Sequence, residues 1–399
     1  MKIIGIETIR MEEHANCLWV QVHTDAGHVG LGETFFGARA VEAYIHETAA
    51  PQLLGLDARR IDFIANQLVG YLGFASSGAE MRGNSAIDIA LWDALGQVTG
   101  EPIAQLLGGF TRSNIRTYNT CAGGSYIKHV GGQKVSNYGL GQNTRYEDLA
   151  AFLDDAGALA EDLLEHGITA MKIWPFDAAA EKSRGLYIDK QDLKQALKPF
   201  ELIRKRVGDK MDVMVEFHSM WQLGPAMEIA RALEPFDTFW HEDPIKMDSL
   251  GSLRRYADAS RAPLCASETL ATRWAYRDLL ATDAAGIVML DLSWCGGLSE
   301  ARKIAAMAEA WHLPVAPHDC TGPVVLAAST HLSLNAPNAL VQESVRAFYN
   351  GWYAGAVTQL PAVSDGMITV PPGPGLGMAL RPDLDKRFTV SRSLSGRTA

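Results

Sequence analysis

Three apolar runs in one stretch of the chain each end on a glutamate: VMVE at residues 213–216, TFWHE at 238–242 and PLCASE at 263–268. The three glutamates, Glu216, Glu242 and Glu268, are separated by 26 residues in both intervals. That length holds one short strand, one helix and two loops, which is the repeating unit of a parallel β/α fold. The stretch therefore predicts successive parallel strands with a carboxylate at the end of each.

The same arrangement extends in both directions along the chain. Eight strand candidates alternate with helical patterns, at residues 115–120, 170–174, 213–217, 238–241, 263–266, 287–290, 314–317 and 340–341. Seven of them are followed by a titratable side chain, namely Lys172, Glu216, Glu242, Glu268, Asp291, His318 and Glu343. The carboxyl ends of strands in a β/α barrel converge on one mouth, so these groups are predicted to share a site.

A doubly wound sheet is the competing topology for alternating strands and helices. That fold usually carries a Gly-rich phosphate loop after its first strand, and no such motif follows a strand in this sequence. The run PPGPGLG at 371–377 has no strand–helix unit around it and is interpreted as a turn. The pattern therefore favours the barrel.

The two ends of the chain have a different pattern. Residues 1–35 alternate like a strand meander punctuated by glycines, and residues 37–109 have a helical period. Ser85 with Asp88 resembles a capping box that begins a helix, and Gly100 with Pro102 ends it. We therefore expect an α+β capping domain at 1–115, a barrel at 116–345, and a segment at 346–399 that returns to the capping domain. The Gly-rich segment 123–143 is expected to form a loop over the site.

Composition excludes several classes of protein. The chain has 399 residues and a net charge of −10, and it shows no basic run, so a nucleic-acid or membrane-surface partner is not expected. No apolar stretch is long enough for a signal peptide or a membrane span. The five cysteines include no C-x-x-C pair, which indicates reduced thiols and a cytoplasmic location.

The strand-end residues suggest particular chemistry. Three convergent carboxylates repel one another unless a cation joins them, and an all-oxygen set suits Mg²⁺, with Mn²⁺ as a possible substitute. Zinc is less favoured because no Cys–His ligand set accompanies them. Asp291 beside His318 would fix the imidazole tautomer and raise its basicity, so His318 is a candidate general base; a hydrogen-bonded structural histidine is the alternative. Cys320 has no activating partner and is interpreted as structural.

Several motifs, in this order, resemble the enolase superfamily, mandelate racemase subgroup. The stretch SAIDIALWDALGQVTGEPIAQLLGG resembles the last helices of that family's capping domain, and the barrel pieces are MKIW, VEFH, HEDP, SETL, LDLSWCGG, PHDCTGP and QES. The resemblance implies a modified TIM-like barrel of (β/α)7β form and Mg²⁺-assisted abstraction of the proton α to a carboxylate. It implies Glu216, Glu242 and Glu268 as metal ligands. It also implies a base dyad of His318 and Asp291, with Glu343 and Lys172 on the substrate carboxylate.

Two departures from the family pattern bear on the reaction. Family racemases carry a second base as the last lysine of K-x-K, but that position here is Trp174, which cannot act as a base and is expected to form a pocket wall. His218 lies two residues after a predicted ligand, and E-F-H is similar to the D-x-H of galactonate-type dehydratases, in which that histidine is the general acid. A strand places both side chains on one face, so His218 is expected to face the site.

These residues together predict an acid-sugar dehydratase acting on an aldonate. Tyr118, Asn119 and Thr120 end the first barrel strand and are expected to contact substrate hydroxyls, while loops 16–19 and 34–37 would close the mouth. An epimerase, racemase or cycloisomerase on the same enolate chemistry is the main alternative. A Schiff-base aldolase using Lys172 and a non-catalytic binding protein are more distant ones. By analogy with the family, a homo-oligomer, either a dimer or an octamer, is expected.

Overall fold

The computed structural model describes residues 1–69 and 77–399, and its N-terminal part is an antiparallel sheet covered by helices. The sheet strands are β1 (Ile3–Met11), β2 (Cys17–Thr24), β3 (Val29–Phe35) and the last strand of the chain, β14 (Val390–Gly396), in the order β14-β1-β2-β3. The helices are α1 (Ala38–Tyr44), a π-helical turn (Ile45–Ala49), α2 (Ala50–Leu53), α3 (Ile61–Val69), α4 (Ala79–Thr99) and α5 (Ile103–Leu106).

Helix α4 lies directly on strand β3, and two glycines make this approach possible. A Cβ atom at Gly30 or Gly32 would lie 1.9 Å from a carbonyl oxygen of α4, so no larger residue fits. Gly27, Gly30 and Gly32 were expected to separate the strands of the meander; Gly27 does lie between β2 and β3, but the expectation was wrong for Gly30 and Gly32, because both lie inside β3. They allow the sheet and the helix to pack backbone against backbone.

The start of α4 also differs from the prediction. The helix begins at Ala79, six residues before the predicted capping box. Ser85 donates instead to the carbonyl of Met81 within the helix, at 2.7 Å, and Asp88 accepts a hydrogen bond from the backbone N–H of Ser299 at 2.9 Å. The predicted end is confirmed, since Gly100 caps the helix with a left-handed φ of 76°.

Eight parallel strands form the barrel, which confirms the predicted fold class. They are β4 (Ile115–Thr120), β5 (Ala170–Ile173), β6 (Asp212–Glu216), β7 (Trp240–Glu242), β8 (Leu264–Ala266), β9 (Ala285–Leu290), β10 (Val315–Pro317) and β11 (Gln342–Ser344). Neighbours in this order pair from β4 to β10, and β11 pairs with β4. Hydrogen bonds of Val315 with Asn338 and Leu340 close the remaining side. The last strand begins two residues later than predicted.

Helices connect the barrel strands on the outside. They are α6 (Asp148–Glu165), α7 (Asp177–Ser183), α8 (Lys190–Val207), α9 (Leu223–Leu233), α10 (Leu250–Ala259), α11 (Thr272–Leu280), α12 (Gly297–Ala310) and α13 (Pro323–Asn335). Inside the barrel, a compact apolar cluster that includes Tyr118, Met214, Trp240 and Met289 fills the interior. The barrel is therefore a packed core and not a channel, and its polar side chains gather at one end.

The C-terminal segment returns to the N-terminal sheet. It contains α14 (Arg346–Tyr349), α15 (Tyr353–Ala356), β12 (Ala362–Ser364), β13 (Met367–Thr369), α16 (Leu384–Arg387) and β14. Strand β13 pairs antiparallel with the start of β4, and β14 pairs antiparallel with β1. The division of the chain at residues 115 and 345 stays a prediction. No helix in the described ranges has the length and apolar character needed to cross a membrane.

Candidate active site

The three predicted metal ligands lie together at the carboxyl ends of adjacent strands. Glu216 ends β6, Glu242 ends β7, and Glu268 follows β8 by two residues. One carboxylate oxygen of each lies within 4.8 Å of the other two. Trp240 holds Glu242 in place by donating its indole N–H to Oε2 at 2.9 Å. The strand register therefore assembles a trio of oxygen donors from residues that are far apart in sequence.

The charge state of the trio fits a divalent cation. Burial, and then the charge of Glu242, raise the pKa of the Glu216 carboxyl well above its usual range. Oε2 of Glu216 is buried and has no hydrogen-bond partner among the described residues. Without a metal ion the Glu216 carboxyl therefore favours its protonated form, whereas a hard divalent ion would bring all three carboxylates into their charged form. The donor set matches Mg²⁺ or Mn²⁺.

Lys172, at the end of β5, is the buried cation of the site. Its Nζ lies 2.5 Å from Glu242, 3.0 Å from Glu343 and 3.6 Å from Glu216. Burial alone would lower its pKa, but the negative charges of Glu242 and Glu343 outweigh burial and raise the pKa well above the ordinary value. A Schiff-base aldolase needs a neutral amine, so this protonated lysine argues against that alternative.

His318 follows β10 and lies between two carboxylates. Its Nδ1 is 2.7 Å from Asp291, and its Nε2 is 2.7 Å from Glu268. Burial alone would lower the pKa of His318, but the charges of Glu268 and Glu343 and the hydrogen bond to Asp291 raise it well above 6.5. Asp291 is fully buried and also accepts hydrogen bonds from Ser293, so its orientation is fixed. The pair has the geometry of an oriented base with Nε2 toward the trio, and a cation bound by Glu268 would offset the charge that raises the pKa and so favour the neutral ring that a base needs.

His218 lies in the same cavity, but not for the predicted reason. Strand β6 ends at Glu216, and His218 has a left-handed φ of 50°, so strand alternation does not set its direction. Its Nδ1 is 2.7 Å from Asp177 and its Nε2 is 2.9 Å from the side-chain amide of Gln133. The backbone turn and these two partners bring the ring to the cavity.

A small cavity of about 30 Å³ joins these groups. Phe36 reaches it from the N-terminal part, and segment 123–143 covers it, as the sequence predicted. The lining residues are Phe36, Thr120, Tyr126, Ile127, Gln133, Lys172, Trp174, Glu216, His218, Glu268, Trp294, His318 and Cys320. Residues 17–19 of the predicted loop 16–19 lie instead in β2, and Asn16 before it has an indirect contact, because its amide donates to the carbonyls of Ile127 and His129 in the covering segment. Trp174 forms part of the wall.

Two of the three residues expected to contact substrate hydroxyls lie elsewhere. Tyr118 is fully buried one layer below the cavity, edge-on to Trp240. Asn119 points to the outside of the barrel, where its amide donates to Asp148 at 2.9 Å. Along a strand, side chains alternate between the two faces, so only Thr120 combines the inward face with the right depth. Thr120 donates to Glu343, which is buried behind it.

Known proteins resemble the chain over nearly its whole length. Residues 6–108 match the mandelate racemase / muconate lactonizing enzyme N-terminal domain, and residues 155–384 match the enolase C-terminal domain-like family. The chain belongs to the enolase superfamily. Within it, the chain is 66% identical to an enolase of the mandelate racemase subgroup from Agrobacterium tumefaciens, with a TM-score of 0.89 over 99% of both chains. An enolase protein from Sargasso Sea environmental sequencing is 43% identical, with a TM-score of 0.89 over both complete chains.

A further relative within this superfamily indicates the reaction class. A D-galactonate dehydratase from Xanthomonas campestris pv. campestris is 33% identical over 97% of this chain and 94% of its own length. A second D-galactonate dehydratase, from Ralstonia nicotianae, is 29% identical over 99% of this chain and 95% of its own. The superfamily membership predicted from the motifs is thus confirmed, and the chain is an enzyme of the lyase class, a hydro-lyase.

Sequence reasoning missed three side chains of this superfamily site. Asp177 follows β5 by four residues and contacts His218, while Gln133 and Tyr138 reach the same group from the covering segment. Asp177 carried a usable signal, since it is an acidic residue just after a barrel strand. The other two lie in a polar loop, where the sequence does not indicate direction.

Proposed function

We propose that the protein is a Mg²⁺-dependent acid-sugar dehydratase that converts an aldonate to its 2-keto-3-deoxy acid. One observation carries the proposal: two imidazoles, His318 and His218, line a single cavity together with Glu216 and Glu268, two carboxylates of the trio. Elimination of water needs a base for the α-proton and an acid for the departing hydroxyl, and the cavity offers a candidate for each. The dehydratase relatives support the same reaction class.

The proposed roles follow from the contacts. Nε2 of His318 takes the α-proton, with Asp291 holding the opposite nitrogen of the ring. His218 gives a proton to the 3-hydroxyl, which leaves as water. Lys172 supplies fixed positive charge beside the trio, where the negative charge of the substrate carboxylate increases during proton loss.

Glu216, Glu242 and Glu268 would hold the metal ion. A bound Mg²⁺ supplies charge that stabilises an enediolate relative to the starting carboxylate. Because Glu216 and Glu242 are buried and the indole of Trp240 donates a hydrogen bond to Glu242, the carboxylates of these two residues need little rearrangement to accept an ion. Trp174 occupies the position at which family racemases have their second base. A two-base epimerisation by this protein would therefore depend on His218.

The first test is a substrate screen. The protein is incubated with Mg²⁺ and a library of aldonates and aldarates that includes D-galactonate, and 2-keto acids are measured. We expect keto-acid formation from at least one aldonate. Inversion at the α-carbon without formation of a keto acid would identify an epimerase instead. If no sugar acid is changed, the dehydratase proposal is disproved.

The second test concerns the base. His318→Asn removes proton abstraction, so it should abolish both dehydration and exchange of the α-proton with solvent deuterium, a loss of at least about 10³-fold. His166→Asn, at a half-exposed histidine on the barrel exterior, is the matched control and should retain full activity. Exchange that persists in His318→Asn would place the base elsewhere.

A further inference from the structure

The cavity contains a second imidazole–carboxylate pair, formed by His218 and Asp177. Nδ1 of His218 lies 2.7 Å from Oδ2 of Asp177, and the Asp177 side chain is 3% exposed. We infer that Asp177 is a positioning residue for the dehydration step. It holds the His218 ring so that Nε2 carries the proton delivered to the leaving hydroxyl. This inference rests on the proposed function and adds a residue to it.

The chain builds this pair from three separate segments. Asp177 is the first residue of α7, just after β5, and His218 lies just after the neighbouring strand β6. The hydroxyl of Tyr138, from the covering segment, donates to the same oxygen of Asp177 that meets His218. The carboxylate is therefore fixed from two directions and cannot rotate away without breaking both contacts.

The backbone at His218 supports the same geometry. His218 and Ser219 both have left-handed φ angles, 50° and 56°, which non-glycine residues adopt uncommonly. The backbone N–H of His218 donates to the Glu216 carboxylate at 2.5 Å, and Trp174 packs edge-on against the ring at 5.8 Å. Such a conformation persists where surrounding contacts determine it, and it tends to occur at functional sites.

The Nε2 end of the His218 ring faces the cavity. Its Nε2 lies 2.9 Å from the side-chain amide nitrogen of Gln133, a donor in the cavity lining, which matches the neutral ring that remains after proton delivery, with its proton on Nδ1. A substrate hydroxyl that receives a proton from Nε2 takes the place of that amide. Asp177 thus holds Nδ1 while Nε2 remains available for proton transfer, the division of roles found between a carboxylate and an imidazole in acid–base catalysis.

All protons and electron pairs of the dehydration step are accounted for. His318 takes the α-proton, the C–H electron pair forms the C2–C3 double bond, and the C3–O bond breaks with its pair on oxygen. That oxygen takes the Nε2 proton of His218, so water and an enol are formed. His218 is left neutral, with its remaining proton on Nδ1 toward Asp177. An asparagine at 177 has an amide nitrogen in place of one carboxylate oxygen, so it can hold the ring in the wrong orientation or tautomer.

The test compares two leaving groups in Asp177→Asn. The substrates are the aldonate that the wild-type protein dehydrates in the screen, D-galactonate being tried first, and its 3-deoxy-3-fluoro analogue. Hydroxide needs a proton to leave, whereas fluoride leaves as an anion with far less help. We expect kcat for water loss to fall about 10²–10³-fold with KM changed less than about threefold, while fluoride release stays within about threefold of the wild type.

Two control variants separate positioning from general damage. Tyr138→Phe removes one donor but keeps the carboxylate, so it should reduce water loss less than about tenfold. Asp189→Asn makes the same chemical change at an exposed cap of helix α8 and should leave both rates unchanged. Fluoride release by Asp177→Asn itself shows that this variant is folded and that its base is in place.

Each outcome separates this inference from the proposed function. Equal losses for water and fluoride would mean that Asp177 is only structural, and no loss of water elimination would mean that His218 needs no carboxylate; either result overturns the inference. A wild-type protein that forms no keto acid from any sugar acid would instead remove the proposed function, and the role of Asp177 would fail with it.

Discussion

Lys172→Met tests whether the positive charge of Lys172 stabilises the buried carboxylates around it. The lysine is 2% exposed and lies within 3.6 Å of three carboxylates, so its removal leaves buried negative charges without their cation. Removing one partner of a buried ion pair costs about 3–5 kcal/mol. At the lower end of the usual range, about 2 °C per kcal/mol, this loss lowers Tm by about 6–10 °C in the presence of EDTA.

The assay is thermal unfolding of both proteins, with EDTA and then with a series of Mg²⁺ concentrations. Mg²⁺ should stabilise Lys172→Met more than the wild type, because the ion replaces part of the lost positive charge, so the gap in Tm should narrow. The control is Lys182→Met, which breaks ion pairs with Asp189 and Asp192 on an exposed helix and should not shift Tm measurably. An equal shift in the two variants, or a gap that Mg²⁺ leaves unchanged, would refute the reasoning.

Two further predictions concern the metal trio and the interface between the N-terminal helices and the barrel. Glu242→Gln removes one charge of the trio and should weaken Mg²⁺ binding, measured by calorimetry, about 100-fold. The control Glu234→Gln, at an exposed site, should leave the affinity unchanged. An unchanged affinity in Glu242→Gln would exclude this residue as a ligand. Burial raises the pKa of Asp88 to about 7, so the folded state binds this proton more tightly than the unfolded state does. The free energy of unfolding of the wild type should therefore fall as pH rises from about 4 to about 7, by up to about 4 kcal/mol. Asp88→Asn should remove that part of the slope in urea unfolding at pH 5 and 8, and a constant difference between variant and wild type would contradict it.

Much of the fold was predictable because the chain repeats one unit. The 26-residue spacing of Glu216, Glu242 and Glu268 follows from a strand, a helix and their loops, and parallel strands place their carboxyl ends at one edge. Lys172, Asp291 and His318 also stand at the carboxyl ends of barrel strands, and the structure brings all three to the same mouth of the barrel.

Positions that depend on depth or local backbone were not predictable. Tyr118, Asn119 and Thr120 are consecutive, yet only Thr120 lies at the cavity, because neighbouring side chains point to opposite faces and Tyr118 lies one layer lower. The start of α4 was misplaced because Ser85 and Asp88, which resemble a cap, are buried contacts of a longer helix.

The sequence by itself determined which chemical groups the mouth of the barrel receives and in what order, since strand periodicity fixes which residues stand at strand ends. The pairing of His318 with Asp291 was expected from the sequence, whereas only the tertiary structure decided the partners of His218. The left-handed turn at His218 and its contact with Asp177, 41 residues away in the chain, come from the packing of β5, β6 and the covering segment. A contact of this kind depends on the relative placement of three segments, which no local pattern of residues records.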